Sequence, residues 1–78
     1  MPVILRLFGY KYLFYSNESD EPPHIHVRKG NAHAKFWLEP VSLAKNEGFK
    51  IHQLNKLEKI IIANEANFVK AWKQYFKS

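Results

Sequence analysis

Two periodicities divide the chain. Between residues 2 and 38 the sequence is rich in aromatic and β-branched residues and is punctuated by Gly9, Pro22-Pro23 and Gly30, a pattern that predicts short strands. From residue 50 to 77 there is no Gly or Pro, and apolar residues return every three or four positions, the period of a helix. Ile51, Leu54, Leu57, Ile61, Phe68, Trp72 and Tyr75 fall on one stripe, with Phe76 beside it. The segment Asn64 to Asn67 interrupts that stripe, because Asn is a weak helix former and a good N-cap. The pattern therefore predicts two helices, Ile51–Ala63 and Glu65–Phe76. Between the halves, Glu39-Pro40 and Asn46-Glu47-Gly48 read as connectors.

The strand half resolves into two hairpins. Val3–Leu7 returns as Lys11–Tyr15 around a Gly9-Tyr10 turn, which sets Leu5 against Phe14 and Leu7 against Tyr12. A polar loop, residues 16 to 23, follows. His24–Lys29 then returns as Ala32–Leu38 around Gly30-Asn31. With a two-residue primed turn there, Lys29 pairs with Ala32, Arg28 with His33 and Val27 with Ala34. Further along, His26 pairs with Lys35, Ile25 with Phe36 and His24 with Trp37. Side chains alternate across a strand, so one face collects Ile25, Val27, Ala34, Phe36 and Leu38. The other collects His24, His26, Arg28, His33, Lys35 and Trp37. A one-residue slip would bury the charges, which supports this register. The expected fold is a two-layer α+β domain, ββββαα, with a four-stranded antiparallel sheet and both helices on its apolar face.

Composition narrows the chemistry. The 78 residues carry 12 Lys+Arg against 7 Asp+Glu, a formal charge of +5, with no cysteine. A chain of this length predicts one domain, which buries only roughly 60 % of its unfolded surface and leaves little room for a large cofactor cavity. Zero Cys excludes disulfides, thiolate metal sites and a Cys nucleophile, and suits a reducing cytosol. The charge favours an anionic partner, nucleic acid or acidic protein. The longest aliphatic stretch, Ile60-Ile61-Ile62-Ala63, is far short of the ~20 residues a membrane span needs. No basic n-region opens the chain and Arg6 interrupts any signal-like run, so the expectation is a cytoplasmic protein with no membrane partner. No phosphate loop, dinucleotide fingerprint or nucleophile elbow is present.

The run Glu21-Pro22-Pro23-His24-Ile25-His26-Val27 resembles domain-of-unknown-function family 4160, small bacterial proteins of about this length. The likeness extends to Met1-Pro2-Val3-Ile4-Leu5-Arg6, Gly9-Tyr10, Phe14-Tyr15-Ser16-Asn17-Glu18 and Ala34-Lys35-Phe36-Trp37-Leu38-Glu39-Pro40-Val41. It continues through Gly48-Phe49 to Ala71-Trp72 and Tyr75-Phe76. Such genes commonly lie beside one of domain-of-unknown-function family 2442. The resemblance implies a type II toxin–antitoxin module, with the protein similar to this one as toxin and a small antitoxin protein as its inhibiting partner. It carries no catalytic residue set.

The residues themselves suggest three chemistries. As a metal-independent ribonuclease, the hairpin face would use His24 and His26 as acid and base. Arg28 and Lys35, with His33 beside them, would hold phosphate, and Trp37 would stack a base. Glu18, Asp20 and Glu21 in the adjoining loop can orient an imidazole. The toxin analogy favours RNA cleavage or RNA and ribosome binding, by analogy alone; whether the chain catalyses anything stays open. Second, His-x-His on a strand sets two imidazoles about 6.5–7 Å apart at Cα, a spacing that can chelate zinc. His33 becomes a third ligand only if twist brings it round, and its partner Arg28 disfavours a metal. No metal ligand set and no cofactor is therefore assigned, and chelation by His24 and His26 is left open. Third is binding without catalysis, as an interaction module or an antitoxin-side partner. The stripe Phe68, Trp72, Tyr75 and Phe76 reads first as core. Any part left exposed beside Lys70, Lys73 and Lys77 would suit an acidic antitoxin or a homodimer.

Overall fold

Among the described residues of the computed structural model, which are 3–15, 18 and 20–76, five strands precede two helices. The strands are β1 (Val3–Leu7), β2 (Tyr10–Leu13), β3 (His24–Lys29), β4 (Ala32–Leu38) and β5 (Val41–Glu47). The helices are α1 (Ile51–Ala63) and α2 (Glu65–Phe76), with the predicted bounds. The sheet is antiparallel throughout, in the order β1-β2-β3-β4-β5. Ser16, Asn17 and Ser19 of the polar loop lie outside the described residues, as do Met1, Pro2, Lys77 and Ser78.

The expected four-stranded sheet is corrected to five. Glu39-Pro40 is the tight turn of a third hairpin, in which Leu38 pairs with Val41 and His33 with Glu47. Strand β5 escapes the sequence pattern because it is an edge strand: six of its seven residues are exposed. Its ladder also shifts register between Lys35 and Phe36, whose partners are Lys45 and Leu43. That bulge at Ala44 breaks the alternation that would have marked a strand.

The first hairpin is corrected as well. Its turn is Phe8-Gly9, with φ of 55° and 81°, so Leu7 pairs with Tyr10 and Leu5 with Tyr12. A two-residue hairpin turn of this type needs positive φ at both central positions, and Gly9 supplies one without strain. The expected and observed pairings differ by two residues, so both put Leu5, Leu7, Tyr12 and Phe14 on one face. Hydrophobic alternation cannot tell them apart; only the turn can. The second hairpin has the predicted register at all six pairs, from His24–Trp37 to Lys29–Ala32.

The core lies between the sheet and the helices. Tyr10, Tyr12, Phe14, Ile25, Val27, Ala34, Phe36 and Leu38 meet Leu54, Leu57, Ile61, Phe68 and Trp72 in one continuous apolar cluster. Both ends of the predicted helical stripe fall outside it, with Ile51 72 % and Tyr75 39 % exposed. Asn46 brackets the approach to α1, its side chain accepting from Phe49 N–H and donating to Phe49 C=O. The joint between helices is Asn64. Its N–H and side-chain amide both donate to Ile60 C=O, while its own C=O accepts from Phe68 N–H and opens α2. Among the described residues, no helix is long and apolar enough to cross a membrane.

Candidate histidine–carboxylate site

Both helices pack on the apolar face of the sheet, and the chemistry lies on the other, which α2 reaches only through Trp72 at the His24 end. Alternation along β3 sends His24, His26 and Arg28 to that outer face, and along β4 it sends His33, Lys35 and Trp37. The side chain of Glu18, six residues before β3, reaches both histidines of that strand. A single carboxylate oxygen, Glu18 Oε1, then lies 2.8 Å from His24 Nε2 and 2.7 Å from His26 Nε2. The other nitrogen of each ring is also engaged. His24 Nδ1 donates to Pro22 C=O at 2.9 Å. His26 Nδ1 lies 2.8 Å from His33 Nε2, and His33 Nδ1 reaches Glu47 Oε1 at 3.4 Å. The sheet twist does bring His33 round to His26, but to its Nδ1, on the far side of the ring from Glu18.

Aromatic rings wall the cluster. Tyr15 meets His26 edge-on at 4.4 Å between centroids, Trp37 meets His24 at 5.6 Å, and Trp72 of α2 leans on His24 at 4.8 Å. In consequence His24 is 0 % and His26 4 % exposed, so the two predicted acid–base residues are interior groups that meet each other through Glu18. Burial pulls the Glu18 carboxyl up, but the hydrogen bonds and charge of the two imidazoles outweigh it and hold it below its ordinary value. For His26, burial pushes the pKa down and dominates the upward pull of Glu18, while His24 and His33 add to the lowering. At the exposed end, the hydrogen bond from His33 and the charge of Lys45 lower the Glu47 carboxyl.

The predicted phosphate holders sit nearer the surface. Arg28 is exposed and donates to Tyr15 Oη at 2.7 Å. Half-buried Lys35 pairs with Glu21 at 2.5 Å and lies 4.6 Å over the half-buried Trp37 ring. Of the three loop acids singled out, Glu18 holds both histidines and Glu21 holds Lys35; Asp20 is exposed.

Sequence reasoning missed the neighbours that complete this face. The ladders set Arg6 beside Lys11, Lys11 beside Arg28, and Arg28 beside His33, so three exposed cations line up across three strands. Lys11 could have been found, since it stands between the core-facing Tyr10 and Tyr12 and must point outward. Tyr15 and Trp72 carried no such signal, because both contacts depend on tertiary packing.

A family model described as a domain of unknown function (DUF4160) matches residues 9–73. No curated protein and no solved structure matches the chain.

Proposed function

We propose that this chain, which belongs to the DUF4160 family of domains of unknown function, binds RNA through the outer face of its sheet. One observation carries the reading: the row Arg6, Lys11, Arg28. Like charges directly opposite on neighbouring strands destabilise a sheet. Among the described residues none of these three is ion-paired, whereas Lys35 and Lys45 on the same face are matched by Glu21 and Glu47. A phosphate backbone laid across the strands supplies the missing counter-charge. Tyr15 and His33 border the row, and Trp37, further along β4 beneath Lys35, offers a ring on which a base can stack.

In its finer form the proposal makes the chain the toxin of a two-gene toxin–antitoxin module. The partner is then a small antitoxin of domain-of-unknown-function family 2442, whose acidic surface competes with RNA for the same cations. Cleavage rather than simple binding is a matter for the assay. His33 is the imidazole nearest solvent on this face, and His24 and His26 connect to it through His26 Nδ1.

Expression without the partner tests the reading, scoring growth and total RNA integrity. Wild type is expected to slow growth, and Lys11→Ala with Arg28→Ala to restore it while the protein stays folded and abundant. RNA fragments that disappear in His33→Ala would mark cleavage. Growth inhibition unchanged in the double variant would overturn the outer face as the functional surface.

A further inference from the structure

We propose that Glu18 Oε1, His24 Nε2 and His26 Nε2 are the protein ligands of a divalent transition-metal ion, zinc above all. The three atoms lie within 4.8 Å of one another, two of the separations being 2.8 and 2.7 Å. Zinc takes imidazole nitrogen and carboxylate oxygen at about 2.0–2.2 Å, so the edges of its tetrahedron are about 3.3 Å. Small rotations of three side chains turn the observed cluster into that arrangement.

Proton counting gives the independent reason. His24 Nδ1 faces a backbone carbonyl, which can only accept, so this nitrogen carries a proton. A neutral His24 then presents a bare lone pair at Nε2, toward an ionised carboxylate that is also an acceptor. The same holds for His26 when its Nδ1 donates to His33 Nε2 and His33 Nδ1 donates to Glu47. Three neutral imidazoles thus satisfy every outer hydrogen bond of the chain Pro22–His24 and His26–His33–Glu47. They leave two nitrogen lone pairs and one carboxylate converging on a single point. Without a metal, both contacts to Glu18 are hydrogen bonds only when each Nε2 carries a proton, between rings only 0 % and 4 % exposed. One divalent cation replaces both protons.

The surroundings match what metal-bound histidines require. Each ring is oriented by a hydrogen bond from its other nitrogen, to a carbonyl in one case and through His33 to a carboxylate in the other. Two neutral nitrogens and one carboxylate suit zinc and its first-row neighbours rather than magnesium or calcium. Of the nearby cations, Lys35 is paired with Glu21, and Arg28 is exposed and held by the Tyr15 hydroxyl. Three protein ligands leave a fourth position for water or another ligand. The ion ties the loop residue Glu18 to β3, and this inference stands apart from RNA binding.

Metal titrations of the purified protein test it, after exhaustive chelation and with folding checked by circular dichroism. Zinc is expected to bind at one equivalent per chain and to raise Tm by more than about 5 °C at saturation, with magnesium inert. Cobalt(II) should give the visible absorption of a low-coordinate site. Glu18→Gln keeps a hydrogen-bonding side chain in the half-buried loop position and should weaken zinc by at least about ten-fold. His52→Gln, on the exposed face of α1, should leave binding unchanged. No zinc-dependent rise in Tm would overturn the proposal. So would affinity unaltered in Glu18→Gln, or affinity lost in His52→Gln, which would place the ion elsewhere.

Discussion

Tyr12 shows how much a single buried atom matters in a domain of this size. Its side chain is fully buried, its ring stacks against Phe68 at 5.9 Å, and its hydroxyl finds no hydrogen-bond partner among the described residues. Burial, with the neighbouring Tyr10 adding to it, pushes the phenol pKa up to about 12. The unfolded phenol ionises near 10, so between pH 10 and about 12 the native state holds the proton that the unfolded chain gives up. Stability is therefore complete below pH 10 and falls as pH rises through that window, by on the order of 2 kcal/mol. Tyr12→Phe removes both the unpartnered hydroxyl and the ionisation. Urea midpoints should show the variant equal to or up to about 1 kcal/mol more stable than wild type at pH 8, and gaining further at pH 11. A wild-type advantage that grows with pH would contradict this.

At the scale of elements, the edge strand β5 depends on how it ends. Gly48 has φ of 98°, and a Cβ there would lie 3.3 Å from Ala32 Cα, a backbone atom that cannot step aside. Gly30 has φ of 57° but open space around it. Gly48→Ala should therefore cost about 2–3 kcal/mol, against about 1 kcal/mol for Gly30→Ala, measured by chemical denaturation. Equal losses would mean that the Ala32 contact relaxes freely. The elements legible in the sequence are those whose pattern is enforced by burial. Both helices and the β3–β4 hairpin appear as predicted because Leu54, Leu57, Ile61, Phe68, Ile25, Val27 and Phe36 all face one core. The β1–β2 register is not legible in the pattern, because either pairing buries the same side chains and Phe8 takes a positive φ that residue type does not advertise. Strand β5 leaves no hydrophobic signature because backbone pairing, rather than apolar burial, defines it.

For the molecule as a whole, the sheet divides the chemistry. One face packs against α1 and α2, and the other carries Arg6, Lys11, Arg28, Lys35 and Lys45. That His24, His26, Arg28, His33, Lys35 and Trp37 share this outer face follows from register alone, and the structure agrees pair by pair. Two things did not follow. Glu18 is six residues before His24 across a loop, and no periodicity predicts that its carboxylate closes over both rings. Nor does local sequence foretell that Trp72, from the far end of the chain, and Tyr15 would bury them. The result is a face with two zones, a walled histidine–carboxylate cluster and an open cationic row beside it. The direct measurement of the central claim is the binding of a labelled single-stranded RNA across salt concentrations, wild type against Lys11→Ala with Arg28→Ala. Each phosphate contact contributes about 0.7 to the slope of log affinity against log salt. The double variant should bind more weakly and lose about 1.4 from that slope; equal affinity and an unchanged slope would contradict RNA binding at this face.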